Sequence, residues 1–177
     1  MNDNNAHDML QTLASKGLTL GCVESLTGGM FAARICSVPG ASNVFKGGLI
    51  TYAPELKTKL AFVKPELIKN YGVVSEEVAL AMATGGAKAL DVDVVVSCTG
   101  NAGPTAQEGE APVGRVYLGL YYNGYAWCVP LQLSGDRDQI REYVVDSMIN
   151  LVESLFTEHK NIQIEQKQEP FFEKKDN

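Results

Sequence analysis

Histidine is scarce in this sequence: the 177 residues hold two, His7 and His159, in the first and last helical segments and away from the strand ends where catalytic groups gather. That placement argues against a Ser-His-Asp triad. The four cysteines, Cys22, Cys36, Cys98 and Cys128, lie far apart with no C-x-x-C pair, and two of them fall in apolar runs that read as buried strands. They read as buried thiols rather than as a disulfide framework or a metal site. No carboxylate and histidine cluster has metal-ligand spacing. Positive charge is also in deficit, with a formal net charge of −6, which argues against a nucleic-acid partner because such proteins need a basic face to displace counterions from phosphate. No apolar run approaches the roughly 18 to 20 residues of a membrane helix. The N-terminus "MNDNNAHDML" has neither a basic n-region nor an apolar h-region, so the expected location is the cytoplasm. Neither G-x-x-x-x-G-K nor G-x-G-x-x-G occurs, which argues against an ATPase or a dinucleotide fold.

What is present is an ordinary globular balance, 45% hydrophobic and 20% charged residues, at a length that suits one domain. The expected organisation is a domain over 1–159 followed by a charged tail over 160–177, "KNIQIEQKQEPFFEKKDN". Along the domain, 6–16 carries Met9, Leu10, Leu13 and Ala14 at helical spacing and stops at Gly17. "LTLGCVE" reads as a buried strand, 29–37 as a helix, and "GGLITYA" as a second strand. Pro54 opens the next helix, "PELKTKLAF", where a missing N–H costs nothing. A short helix at "PELIKNYG" leads to a long one, "SEEVALAMATGGAKALD", with Ser75 as its cap. "VDVVVSC" is an apolar strand that enters a long Gly/Pro-rich loop. "RVYLGLYY" and "YAWCVPLQL" flank Asn123-Gly124, the signature of a two-residue hairpin. The last helix places Ile140, Tyr143, Val144, Met148, Leu151, Val152 and Leu155 on one face. Alternating strands and helices with a late antiparallel hairpin predict a three-layer α/β/α sandwich around a mixed sheet.

The chemistry concentrates at strand ends. In "VESLTGG", Ser25 stands at a strand-to-helix turn beside Gly28 and Gly29. This is the placement of a nucleophile next to helix N–H groups able to hold an oxyanion, and it is equally that of a helix cap. With histidine away from the strand ends, a base would have to be a lysine whose cation is disfavoured, and the positive end of a helix disfavours it. Lys57, one turn past Pro54, fits; a solvated helix lysine is the plainer alternative. Tyr52 closes the preceding strand and could relay a proton or simply pack. "CTGNAGP" offers Thr99, Gly100 and backbone N–H groups to an anion, or only a turn. Arg137 in "SGDRDQIR" reaches a phosphate or pairs with Asp136 or Asp138.

Taken in order, "ESLTGG", "GGLITYAPELK", "GVVSEEVALAMA", "SCTGNAGP", "PVGRVYLGL" and "SGDRDQIR" resemble the C-terminal domain family of the CinA competence/damage-inducible proteins over roughly residues 7 to 157. The resemblance implies a nicotinamide-nucleotide amidohydrolase, which converts nicotinamide mononucleotide (NMN) to nicotinic acid mononucleotide and ammonia in pyridine nucleotide recycling. It also implies a Ser/Lys pair and no metal or organic cofactor. Carried over, the family's serine falls on Ser25, its lysine on Lys57, its strand tyrosine on Tyr52, the hydroxyl residue of its second loop on Thr99 and its arginine on Arg137. The expected catalytic set is Ser25, Lys57 and Tyr52, and the expected substrate-binding set is Thr27, Gly28, Gly29, Thr99, Gly100 and Arg137, with backbone N–H groups near Gly28 and Gly29 as oxyanion donors. Whether Arg137 or the Thr99 loop holds the 5′-phosphate stays open. Two departures stand out: Asn101 where the family commonly has isoleucine, and "TAQEGEA" in place of a short D-G-G type segment. Full-length relatives carry a further N-terminal domain, so a stand-alone form is expected here, working as a homo-oligomer, dimer or higher, on a small-molecule substrate. The alternative is a catalytically silent nucleotide- or partner-binding module associated with competence and DNA damage.

Overall fold

A computed structural model describes residues 3–106 and 108–157; the charged tail expected from residue 160 and His159 lie outside them. Five strands, β1 (Leu20–Glu24), β2 (Phe45–Ile50), β3 (Val94–Gly100), β4 (Arg115–Tyr122) and β5 (Tyr125–Gln132), form one mixed sheet in the order β2-β1-β3-β4-β5. β2, β1 and β3 run parallel, and β4 and β5 are added antiparallel. Asn123 and Gly124 both take positive φ, as a two-residue hairpin turn requires. The carboxyl ends of β1, β2 and β3 therefore open on one edge of the sheet, the edge where α/β proteins place ligands.

Helices cover both faces. α1 (Asp3–Ser15), α2 (Met30–Cys36) and α6 (Arg137–Ser154) pack on one through Met9, Leu13, Phe31, Ile35, Val144 and Met148. α3 (Pro54–Ala61), α4 (Pro65–Tyr71) and α5 (Glu76–Leu90) pack on the other, around Val23, Val78, Met82 and Val95. This is the three-layer sandwich that the sequence predicts. Local signals explain the helix starts: Pro54 and Pro65 open α3 and α4, the Ser75 hydroxyl accepts from Val78 N–H, and Asp136 and Gln139 close a capping box on α6.

Three expectations need correction. β2 starts at Phe45 and stops at Ile50, leaving Thr51 and Tyr52 past its end. On α6 the buried face runs through Val145 and Ile149, whereas Tyr143 is 62% exposed; the true stripe steps 140, 144–145, 148–149, 152, as a helix lying on a sheet needs. The four cysteines are free, but Cys36 is exposed and Cys128 half-buried. Among the described residues no helix is long and apolar enough to cross a membrane, and no group of three His, Cys, Asp or Glu is placed to hold a metal.

The Gly85-Gly86 pair inside α5 marks its closest approach to its neighbours. A Cβ on Gly85 would lie 1.7 Å from the Ala61 carbonyl oxygen, and one on Gly86 would lie 2.4 Å from Val23 Cγ2. Alanine gains roughly 1 kcal/mol of helix propensity over glycine, but forcing atoms into a packed contact costs about 1–3 kcal/mol, more when the obstacle is backbone. Gly85→Ala is therefore expected to lower the free energy of unfolding by roughly 1 kcal/mol or more, read as a lower urea midpoint. A raised midpoint would show that α3 yields to α5.

Candidate active site

The site is built where β1, β2 and β3 end. The chain leaves β1 at Glu24, whose side chain is fully buried and turns back on the segment that follows. Its carboxylate accepts from the N–H groups of Gly29 (2.9 Å), Phe31 (3.2 Å) and Ala32 (3.0 Å). Glu24 thus caps α2 from the preceding strand, and Gly29 occupies the N-cap position with φ 101° and no side-chain cap of its own. Ser25 does not cap the helix. Gly28 and Gly29 both lie in the left-handed region, which explains the glycines: this tight turn needs positive φ twice in succession.

Ser25 is 7% exposed and Lys57 fully buried. Lys57 Nζ lies 2.9 Å from Ser25 Oγ and donates to the Thr51 carbonyl at 2.5 Å. Pro54 places Lys57 at the end of the first turn of α3, on the side facing β1. Thr51 is itself fixed to the end of β1, its N–H donating to the Glu24 carbonyl at 2.7 Å and its hydroxyl to the same oxygen at 3.3 Å. Burial lowers the Lys57 pKa from 10.5 to about 8, because an ammonium taken from water without a carboxylate partner loses its hydration. A Cys98 thiolate would oppose this. Burial, however, pushes the Cys98 thiol up to about 11 despite donors from the Thr27 hydroxyl and the backbone N–H groups of Ser25 and Thr27, so the sulfur is neutral at pH 7.

The backbone donors of the turn can be accounted for one by one. Gly28 N–H donates to the Ser25 carbonyl and Met30 N–H to the Thr27 carbonyl. Gly29, Phe31 and Ala32 serve Glu24, and Ser25 and Thr27 face Cys98. Gly28 and Gly29 are therefore already committed and do not present free N–H groups to an oxyanion. The Leu26 N–H, directly after Ser25, has no acceptor among the described residues.

The remaining predicted residues divide. Arg137 donates to the Gly103 carbonyl (2.6 Å) and to the Tyr52 hydroxyl (3.0 Å), so it ties the loop after β3 to the end of β2. It makes no ion pair with Asp136 or Asp138. Tyr52 is 59% exposed, at the open side of the cluster. The Thr27 hydroxyl is buried 3.2 Å from Cys98 Sγ, and the buried Thr99 hydroxyl donates to the Val73 carbonyl at 2.8 Å. Both hydroxyls face inward. Gly100 is required by packing, since a Cβ there would lie 2.6 Å from Val116 Cγ2. Asn101 holds the long loop together: it accepts from Gly103 N–H and donates to the Thr105 and Ala111 carbonyls.

Sequence reasoning missed Glu24, Thr51 and Arg141. Glu24 and Arg141 stood inside the quoted motifs, and the i,i+4 spacing of Arg137 and Arg141 was the available signal that both share one helix face. Thr51 acts through its carbonyl, for which a sequence carries no sign.

Comparison with known proteins agrees with this architecture. A CinA-like protein of Dictyoglomus turgidum is 45% identical over 144 residues, covering 81% of this chain and 35% of the relative. A CinA-like protein of Kosmotoga olearia is 48% identical over 133 residues, 75% of this chain and 32% of the relative. The chain thus spans about a third of the length of the curated relatives it matches. Among solved structures, a competence-damaged protein (CinA) superfamily protein from Escherichia coli superposes with a TM-score of 0.85 at 28% identity, covering 88% of this chain and 91% of that one. The profile of the CinA C-terminal domain matches residues 2–156, nearly all of the described chain, and the protein belongs to that family.

Proposed function

We propose that the chain is an amidohydrolase that deamidates NMN to nicotinic acid mononucleotide and ammonia through a Ser/Lys acyl-enzyme, as a cytoplasmic step of pyridine nucleotide recycling. The observation that carries this reading is the buried contact of Lys57 Nζ with Ser25 Oγ, joined to a lysine pKa brought down to about 8. At pH 7 about a tenth of such lysines are neutral, and a neutral amine held by the Thr51 carbonyl keeps its lone pair for the Ser25 proton. Ser25 Oγ then attacks the carboxamide carbon as Lys57 takes that proton. The oxyanion is met by the Leu26 N–H. Collapse breaks the C–N bond, Lys57 returns the proton to the leaving nitrogen, and ammonia departs. Water, deprotonated by Lys57, hydrolyses the nicotinoyl ester and frees Ser25. Arg137, backed by Tyr52, faces the 5′-phosphate. No metal or organic cofactor takes part, and the working form is a homo-oligomer.

Three outcomes follow, each read by ammonia release. Ser25→Ala is expected to lower kcat by roughly 10⁶-fold, the scale known for lost nucleophiles, while NMN still binds by calorimetry. Retention of a tenth of the activity would remove Ser25 from the chemistry.

For Lys57 the sign is fixed by the proton count. The neutral form is the base, so kcat/KM should fall as pH drops below an apparent pKa of about 8. Lys57→Arg keeps the charge, but a guanidinium with a pKa above about 12 cannot serve as base. It is expected to fail as badly as Lys57→Ala, and the limb near pH 8 should vanish from any residual activity. Full activity in the arginine variant would mean that position 57 supplies charge alone.

Arg137→Ala is expected to raise KM for NMN about ten- to a hundredfold, the range of a lost charge-assisted hydrogen bond, and to change KM for nicotinamide riboside far less. Equal effects on the two substrates would show that Arg137 does not read phosphate.

A further inference from the structure

Arg141 lies on α6 one turn beyond Arg137 and is partly buried against the nucleophile turn. Its Nε donates to the Leu26 carbonyl at 3.0 Å and its Nη2 to the Thr27 carbonyl at 3.2 Å. The third arm, Nη1, pairs with the exposed carboxylate of Asp138 at 3.2 Å. A Cβ on Gly28 would sit 3.8 Å from Nη2, so the guanidinium lies directly alongside the turn.

Both carbonyls belong to the two peptide units that follow Leu26, 26–27 and 27–28, and the Leu26 N–H lies on the unit just before them. A planar guanidinium donating to successive carbonyls fixes the orientation of both planes at once, which a single point charge cannot do. The opposite edge of the first plane is the Thr27 N–H, which faces Cys98. The turn is thus gripped from two sides, by Arg141 on its carbonyl edge and by Cys98 on its amide edge. With the 26–27 plane held by Arg141 and the Ser25 carbonyl of the 25–26 plane accepting from Gly28 N–H at 3.1 Å, the Leu26 N–H is oriented from both sides, and it is the donor of the turn left without an acceptor among the described residues.

We propose that Arg141 is a positioning residue for the acyl-transfer reaction: by holding the Leu26 and Thr27 carbonyls it aims the Leu26 N–H at the oxyanion formed on Ser25. This rests on the amidohydrolase reading above. It also separates the two arginines of α6, with Arg137 facing the substrate and Arg141 acting through the backbone. A donor to an oxyanion matters only once the carbonyl oxygen becomes charged, so a misaimed Leu26 N–H lowers kcat and leaves KM nearly unchanged.

The test uses the full chain and the variants Arg141→Ala and Arg141→Lys, with thermal unfolding to verify the fold. Arg141→Ala is expected to lose about a hundredfold in kcat, the scale of one lost oxyanion donor, with KM for NMN within threefold. Added guanidinium ion at tens of millimolar should restore part of the loss. Arg141→Lys, able to reach one carbonyl at a time, should fall between the two, and it carries the test if the alanine variant does not fold. A purely structural staple would instead lower the melting temperature, with kcat per folded molecule unchanged and no rescue, and that result overturns the proposal. So does a loss expressed in KM.

A second readout needs no knowledge of the natural substrate. Phosphonofluoridate labelling of Ser25, followed by intact mass, generates a charged oxygen at the same place and should slow by a similar factor in Arg141→Ala. If the parent is labelled at Ser25 but releases no ammonia from NMN, the substrate assignment fails while slower labelling in the variant still supports Arg141. Equal labelling rates overturn it, as does a parent that is not labelled.

Discussion

A lysine side chain buried against a serine, with a backbone carbonyl and no carboxylate as its other partner, is the constraint around which this site is arranged. Bringing the Lys57 pKa from 10.5 to about 8 corresponds to roughly 3 kcal/mol against its cation. Because the folded-state value is lowered, the native state holds fewer protons than the unfolded chain between those two values. The penalty is full below pH 8 and fades as pH rises toward 10.5. The fold sustains that penalty near neutrality because the surroundings over-determine the position of Nζ. Pro54 starts α3 at a fixed point, Thr51 is bonded twice to the end of β1, and Ala61, at the other end of α3, packs under Gly85.

The same reasoning explains the glycines of α5. A helix with two adjacent glycines gives up propensity, and what it gains is a close approach to α3 at Ala61 and to β1 at Val23. The helix on one face of the sheet is spent on precision at the edge.

The fold and the pairing of Ser25 with Lys57 were legible in the sequence because they depend on local signals: the Asn-Gly turn, Pro54, Ser75, the periodicity of α6, a serine directly after a strand end and a lysine one turn past Pro54. What could not be read is whatever depends on three-dimensional satisfaction of backbone groups. The glycine pattern of 28–29 suggested free N–H groups, but the Ser25 carbonyl takes that of Gly28 and Glu24, one step before the serine, that of Gly29. The hydroxyls of Thr27 and Thr99 looked available to a substrate, yet one faces Cys98 and the other a carbonyl before α5. Tyr143 matched the helical stripe by spacing while the sheet beneath selected its neighbours Val144 and Val145. Periodicity assigns a face to within about a residue, and only packing decides inside that margin.

Glu24 sets the last condition. A buried carboxylate one residue from Ser25 ought to keep a nearby lysine protonated, since an opposite charge stabilises the cation. It does not, and the reason lies in where its charge is directed. Both oxygens accept from the first N–H groups of α2, so the negative charge is met by the positive end of a helix, and burial, not Glu24, governs Lys57. The N–H groups at the start of α2 thus face a carboxylate and are not open to a ligand. In the amidohydrolase reading proposed above, the N–H that follows Ser25 is the donor left for an oxyanion, and its peptide is held within the turn by Gly28 N–H and, one unit further on, from outside it by Arg141. α6 is the element in reach, which is why a helix that follows the sheet in sequence contributes arginines to a site formed at its first strand.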